Sequence, residues 1–133
     1  MDTISFQVFG TPRPQGSKRA FGRVIPGKRT RTGKPVVVVT MAEANARVND
    51  WRGAVAYAAA QATGSRMFDG PVALSLAFYF ARPKSHYRTG KRAGELKPGA
   101  QAWPTSHNLG DLDKLTRATF DAITGVLVRD DSQ

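Results

Sequence analysis

This sequence predicts an α+β domain in which a small mixed sheet of about four strands packs against two helices. Three observations predict it. The stretches TISFQVFG, KPVVVVT and PVALSLAFYFA have the alternation or β-branched content of strands. Two segments, starting near Ala42 and Leu112, repeat apolar residues at helical spacing. The chain has 133 residues and is 41% hydrophobic, enough for one modest core, so residues 1–133 are expected to form a single domain.

The elements follow in chain order. In TISFQVFG, Ile4, Phe6 and Val8 alternate with polar residues and the run stops at Gly10, which predicts a strand with one buried face. The next 25 residues, punctuated by Pro12, Pro14, Gly16, Gly22, Pro26, Gly27 and Gly33, leave room for a hairpin tip at most. KPVVVVT is a second strand bounded by Pro35. Thr40 can cap a helix from about Ala42 to Gln61, with Glu43 completing a capping box. Ala44, Val48, Trp51, Val55 and Ala59 fall on its apolar face. PVALSLAFYFA, apolar on both faces, predicts a central third strand.

Residues 82–110 hold no convincing element and are rich in Gly, Pro and base. A second helix runs from about Leu112 to Thr124 and ends at Gly125. Its apolar face comprises Leu112, Leu115, Thr119, Ala122 and Ile123. The VLV that follows is a short strand leading to Arg129, Asp130 and Asp131.

Composition narrows the function. There is no cysteine, hence no disulfide framework and no thiolate metal site. No apolar run approaches the roughly 20 residues needed to span a bilayer, and the start is not that of a signal peptide, so a soluble, cytoplasmic protein is expected. The formal net charge is +10. Residues 1–35 contribute a local +7 and residues 82–97 a local +5. Two such segments read either as solvated loops or as a surface for a polyanion, nucleic acid being the obvious one. In the second segment His86, Tyr87 and Trp103 stand among Arg and Lys, a mixture that can stack on unpaired bases while gripping phosphates. The alternative is that Trp103 anchors the loop to the core.

Against that background the acids are unevenly placed. Five of the ten lie in residues 110–131, GDLDKLTRATFDAITGVLVRDD. Asp111 alone would be an ordinary N-cap. Asp113 converges with it only if Asp111 lies outside the helix, because residues two apart in a helix point about 200° away from each other. A strand packed beside the helix start would bring Arg129, Asp130 and Asp131 close to it. Like charges about 4 Å apart repel by about 4 kcal/mol at an effective dielectric near 20, a penalty that a divalent cation removes. Mg²⁺ needs only one or two carboxylates plus water and substrate phosphate oxygens.

GDLDKLTRATFDAITGVLVRDDSQ resembles the signature of the RusA-type Holliday junction resolvases: an Asp-x-Asp opening a helix, a Lys or Arg four residues later, then Asp-Asp after a short turn and strand. GTPRPQGSKR and FARPKSHYRTGK extend the resemblance more loosely over most of the chain. It implies a RusA-like fold and a homodimeric, Mg²⁺-dependent endonuclease, with Mn²⁺ as a substitute metal, that nicks four-way DNA junctions in pairs in bacterial or phage-infected cells. Carried over by position, Asp111, Asp113 and Asp131 match the metal-binding and catalytic acids, with Asp130 beside them in support. Arg117 stands where many members carry an active-site Lys. Arg is always charged, so it would stabilise phosphate charge and not donate a proton. Otherwise it belongs to a surface ladder with Asp113 and Asp121. Lys114 replaces the Asn common after the second Asp. The expected DNA contacts are Arg13, Lys18, Arg19, Arg23, Lys84, Arg88, Lys91, Arg92 and Lys114. Members usually continue past Gln133 into another strand, so a truncated C-terminus is expected.

Asp130 and Asp131 would point to opposite faces of an extended strand, so only one of them should reach the metal, and the family register favours Asp131. Two further functions fit the residues: a non-catalytic nucleic-acid-binding protein in which Asp111 merely caps a helix, and a nuclease preferring flaps, forks or other branched DNA.

Overall fold

Small side chains let the two helices approach closely and build the core between them. In the computed structural model, which describes residues 3–16, 18–43, 47–105 and 109–133, α1 spans Arg47–Thr63 and α2 spans Leu112–Ile123. Val48, Trp51, Val55 and Ala59 on α1 are buried against Ala118, Ala122 and Ile123 on α2, together with Leu127 and Val128. Every described α1 position expected on the apolar face is buried. Ala44 lies outside the described residues. On α2 the expectation fails at Leu112, which is 69% exposed. Thr119 is buried without penalty, since its hydroxyl donates to Leu115 O at 3.1 Å. None of the described helices is long and apolar enough to cross a membrane.

The sheet differs from expectation. The only ladder among the described residues is an antiparallel ribbon of β1 (Lys18–Arg29) and β2 (Pro35–Glu43). β1 occupies the region expected to hold only a hairpin tip. Pro26-Gly27 makes an irregularity inside the strand: the register jumps between Val24↔Val37 and Arg29↔Pro35, with Gly27 at φ +76°. The reversal comes later, at residues 30–34. β2 continues through Thr40 and Glu43, so neither residue caps α1, which starts at Arg47 and not near Ala42.

Residues 3–9 and 71–81 join no ladder, so four strands are not observed among the described residues. The first segment keeps its alternation in burial: Ile4, Phe6 and Val8 are half-buried while Ser5, Gln7 and Phe9 are exposed. The second does not behave as a central strand. Val72 and Phe78 pack on the core, but Leu74, Leu76 and Tyr79 are exposed. VLV is likewise not a strand but a tight turn closed by Gly125 N–H to Val128 O at 2.7 Å.

Residues 82–105 are more ordered than their composition suggests. A 3₁₀ turn at Lys84–His86 precedes an antiparallel bridge between Tyr87 and Leu96, and a second, Gly90–Arg92, lies in the loop that the bridge closes. Arg88 N–H donates to Glu95 O at 2.7 Å and Lys97 N–H to His86 O at 2.9 Å. Trp103 is 81% exposed and therefore anchors nothing to the core.

Candidate active site

Gly110 fixes how α2 begins. Its φ of +87° suits glycine, and a Cβ there would lie 2.3 Å from Pro14 Cγ. The GTPRPQ segment thus lies directly over the helix start, and Gln15 N–H donates to Lys114 O at 3.1 Å. This packing brings the Pro-rich basic motif near the N-terminus onto the acidic motif at the other end of the chain.

Asp111 is the N-cap residue by backbone conformation (φ −77°, ψ 147°), and its carbonyl accepts from Leu115 N–H at 3.1 Å. Its side chain makes no capping hydrogen bond. That carboxylate is mostly exposed, and among the described residues its one ionic neighbour is Lys114 Nζ at 3.5 Å. Asp113 is exposed in the first helical turn, with no ion pair among the described residues. Exposed carboxylate oxygens beside the N–H groups that open a 12-residue helix make a mixed surface, able to coordinate a hard cation and to face an anion. Arg117 is exposed one turn further on. The ladder through Asp113 and Asp121 is not formed, because Asp121 pairs across the helix interface with Arg52 at 2.9 Å.

The second acidic pair follows α2, beyond its C-terminal turn. Asp130 and Asp131 lie in a turn and not on an extended strand, so the alternation expected of them does not apply. Both line a cavity of about 160 Å³ with Phe120, Ile123, Val72 and Leu74. Phe120 is seven residues past Asp113, about 10 Å along the helix axis. Among the described residues no three acids or imidazoles come together in a group that could hold a metal ion. The Asp111 and Asp113 carboxylates do fit Mg²⁺ by donor type and number, since that ion keeps most of its waters.

The hydroxyl of Ser132 holds the Asp130 carboxyl below its usual range, helped by the Ser132 N–H, which donates to Asp130 Oδ1 at 2.9 Å. Gln133, which no motif singles out, is the organiser of this turn. Its Oε1 accepts from Arg129 N–H at 2.6 Å and Asp130 N–H at 3.3 Å, while its Nε2 donates to Phe68 O at 3.2 Å and Gly70 O at 2.8 Å. A terminal Gln carries no spacing or periodicity that would have revealed it.

The candidate DNA-contacting bases form separate groups. Arg13 is half-buried in a cleft of about 320 Å³ with Phe9, Trp51, Arg47 and Asp50. Arg23 is exposed on β1, whose first two residues are Lys18 and Arg19. Lys84 and Lys91 are exposed on the 3₁₀ turns. Arg88 and Arg92 both face Glu95, at 3.9 and 2.8 Å, so their charge is partly answered within the loop.

Carboxylates at a helix start, on a chain whose bases outnumber its acids two to one, supply what an enzyme acting on a polyanionic phosphodiester requires. The chain belongs to the RusA endodeoxyribonuclease family, whose pattern matches residues 10–133. No curated protein and no solved structure matches it.

Proposed function

We propose that this protein is a structure-selective DNA endonuclease that resolves Holliday junctions by paired nicking, with Mg²⁺ bound at Asp111 and Asp113 and Asp131 as the third acid. The observation that carries this reading is the pair of exposed carboxylates, Asp111 and Asp113, at the start of α2 in a chain of this family. Bound there, the cation would polarise the scissile phosphate and lower the pKa of an attacking water. The residues themselves orient and neutralise. Lys114 and Arg117 face the phosphate as fixed charges, and the N–H groups opening α2 favour an anion there. Asp130, tied to Ser132, is held ionised and serves in support of Asp131.

Paired nicks in a four-way junction require two centres related by a two-fold axis, so the working species is a homodimer. The exposed apolar side chains Leu74, Leu76 and Tyr79 support an interface on segment 71–81.

The test compares a mobile four-way junction, a fork, a flap and linear duplex, with and without Mg²⁺. Metal-dependent paired cuts in the junction are the expected result. Asp111→Asn, Asp113→Asn and Asp131→Asn each abolish cutting while junction binding persists or tightens, because removing negative charge relieves repulsion of phosphate. Asp130→Asn is a few-fold slower. Normal cutting by all four variants would refute the metal site, and a preference for forks or flaps would move the substrate to another branched DNA.

A further inference from the structure

The β1–β2 ribbon stands apart from the rest of the molecule. Among the described elements the two strands touch each other and neither helix. From Ala20 to Thr40 every side chain is exposed except Ile25 and Val36, which are half-buried. One face carries Val24, Val37 and Val39 and the other Phe21, Arg23 and Val38, each of the apolar ones between 46% and 62% exposed. An isolated two-stranded ribbon is marginal in water, so this one is suited to being covered by something.

Charge identifies the occupant. Between Asp2 and Glu43 the chain contains no carboxylate, and residues 18–34 alone hold seven Lys or Arg. Four of these, Lys28, Arg29, Arg31 and Lys34, cluster at the far end, and none has an acidic partner among the described residues. That end is a built turn. Thr30 N–H donates to Lys34 O at 2.7 Å, Gly33 N–H to Thr30 O at 2.9 Å, and Lys34 N–H to Thr30 Oγ1 at 3.2 Å. Arg29 Nη1 donates to Gly33 O at 2.9 Å, which leaves the other guanidinium N–H groups free to meet an anion. A second copy of the ribbon would bring like charge to like charge. A polyanion would not.

We infer that this ribbon binds a DNA arm, laid into a duplex groove away from the cleavage point, with Lys28, Arg29, Arg31 and Lys34 on the phosphates that border it. A major groove about 12 Å wide admits a two-stranded ribbon. Twelve residues of strand reach at most about 40 Å, enough to follow an arm beyond the branch point. The exposed valines then meet base edges and sugars in place of water. The inference rests on the proposal that DNA is the substrate, but it assigns a role to residues that the cleavage chemistry does not use.

The experiment measures binding without cleavage. A fluorescently labelled four-way junction is titrated in EDTA with the wild-type chain and with the combined variant Lys28→Gln, Arg29→Gln, Arg31→Gln and Lys34→Gln, by anisotropy at a series of salt concentrations. The variant is expected to bind about tenfold or more weakly, with the salt slope reduced by about 0.9 for each phosphate no longer neutralised and by about 2 or more in total. At saturating protein with Mg²⁺ its cleavage rate stays within about twofold of wild type, because it leaves Asp111, Asp113 and Asp131 untouched. An unchanged slope and affinity would overturn the inference, as would a cleavage defect with intact binding. Conversion of a wild-type dimer to a monomer by Val37→Lys with Val39→Lys, with the tip variant's salt slope unchanged, would make the ribbon a subunit interface and overturn it too. A wild-type chain that never cuts but binds with a ribbon-dependent slope would sink the nuclease proposal and leave this one standing.

Discussion

Replacing Gly110 with alanine tests whether the GTPRPQ segment truly sets the start of α2. Two costs arise. A left-handed backbone, here φ +87°, costs a non-glycine residue about 1–2 kcal/mol. The new Cβ would also sit 2.3 and 2.4 Å from Pro14 Cγ and Cβ, and a proline ring cannot rotate out of the way. Overpacking of that kind adds about 1–3 kcal/mol. Gly125→Ala is the matched control: φ is +76°, but nothing lies within 4 Å, so only the backbone cost applies. For a domain of this size, about 3–5 °C of Tm per kcal/mol places Gly110→Ala about 10 °C or more below wild type and Gly125→Ala about 5 °C below. The local readout is hydrogen exchange at the Gln15 amide, which loses protection in Gly110→Ala when its bond to Lys114 O is pushed apart. Cleavage falls with it, since Asp111 follows Gly110. Equal Tm losses in the two variants, with Gln15 still protected, would refute the reasoning.

Gln133→Ala removes four side-chain hydrogen bonds around the Asp130 turn and is expected to cost about 1–2 kcal/mol, read by chemical denaturation. Gln133→Glu is expected to be no better, since a carboxylate cannot donate to Phe68 O or Gly70 O. Ser132→Ala should raise the Asp130 pKa toward its ordinary value, visible by NMR titration. Because that pKa is depressed in the folded chain, the stability it lends is present above the unfolded carboxylate value and is lost as pH falls through the folded one. Arg52→Ala and Asp121→Ala in a double-mutant cycle should show a coupling below about 1 kcal/mol that shrinks in salt, as befits a partly exposed pair.

Local features were readable from the residues alone. Helical periodicity identified Val48, Trp51, Val55 and Ala59, and Leu115, Thr119, Ala122 and Ile123, because burial of one helix face is written at a fixed spacing. The Asp-x-Asp opening of α2 was legible for the same reason: an N-cap and a first turn are neighbours in the chain, and the order of acids carried the family. Alternation in residues 3–9 was legible as burial but not as pairing, since hydrogen bonds to another strand depend on residues far away. It took the three-dimensional fold to show that Pro26-Gly27 interrupts a strand and does not end it, because a bulge and a turn share the same residues and differ in what lies opposite. The fold alone turned Asp121 toward Arg52 and tied Arg88 and Arg92 to Glu95. It also set Pro14 on Gly110 and gave the Asp130 turn to Gln133. Asp121 with Arg52, Pro14 with Gly110, and Gln133 with Phe68 and Gly70 join residues far apart in sequence, so no pattern along the chain could have announced them.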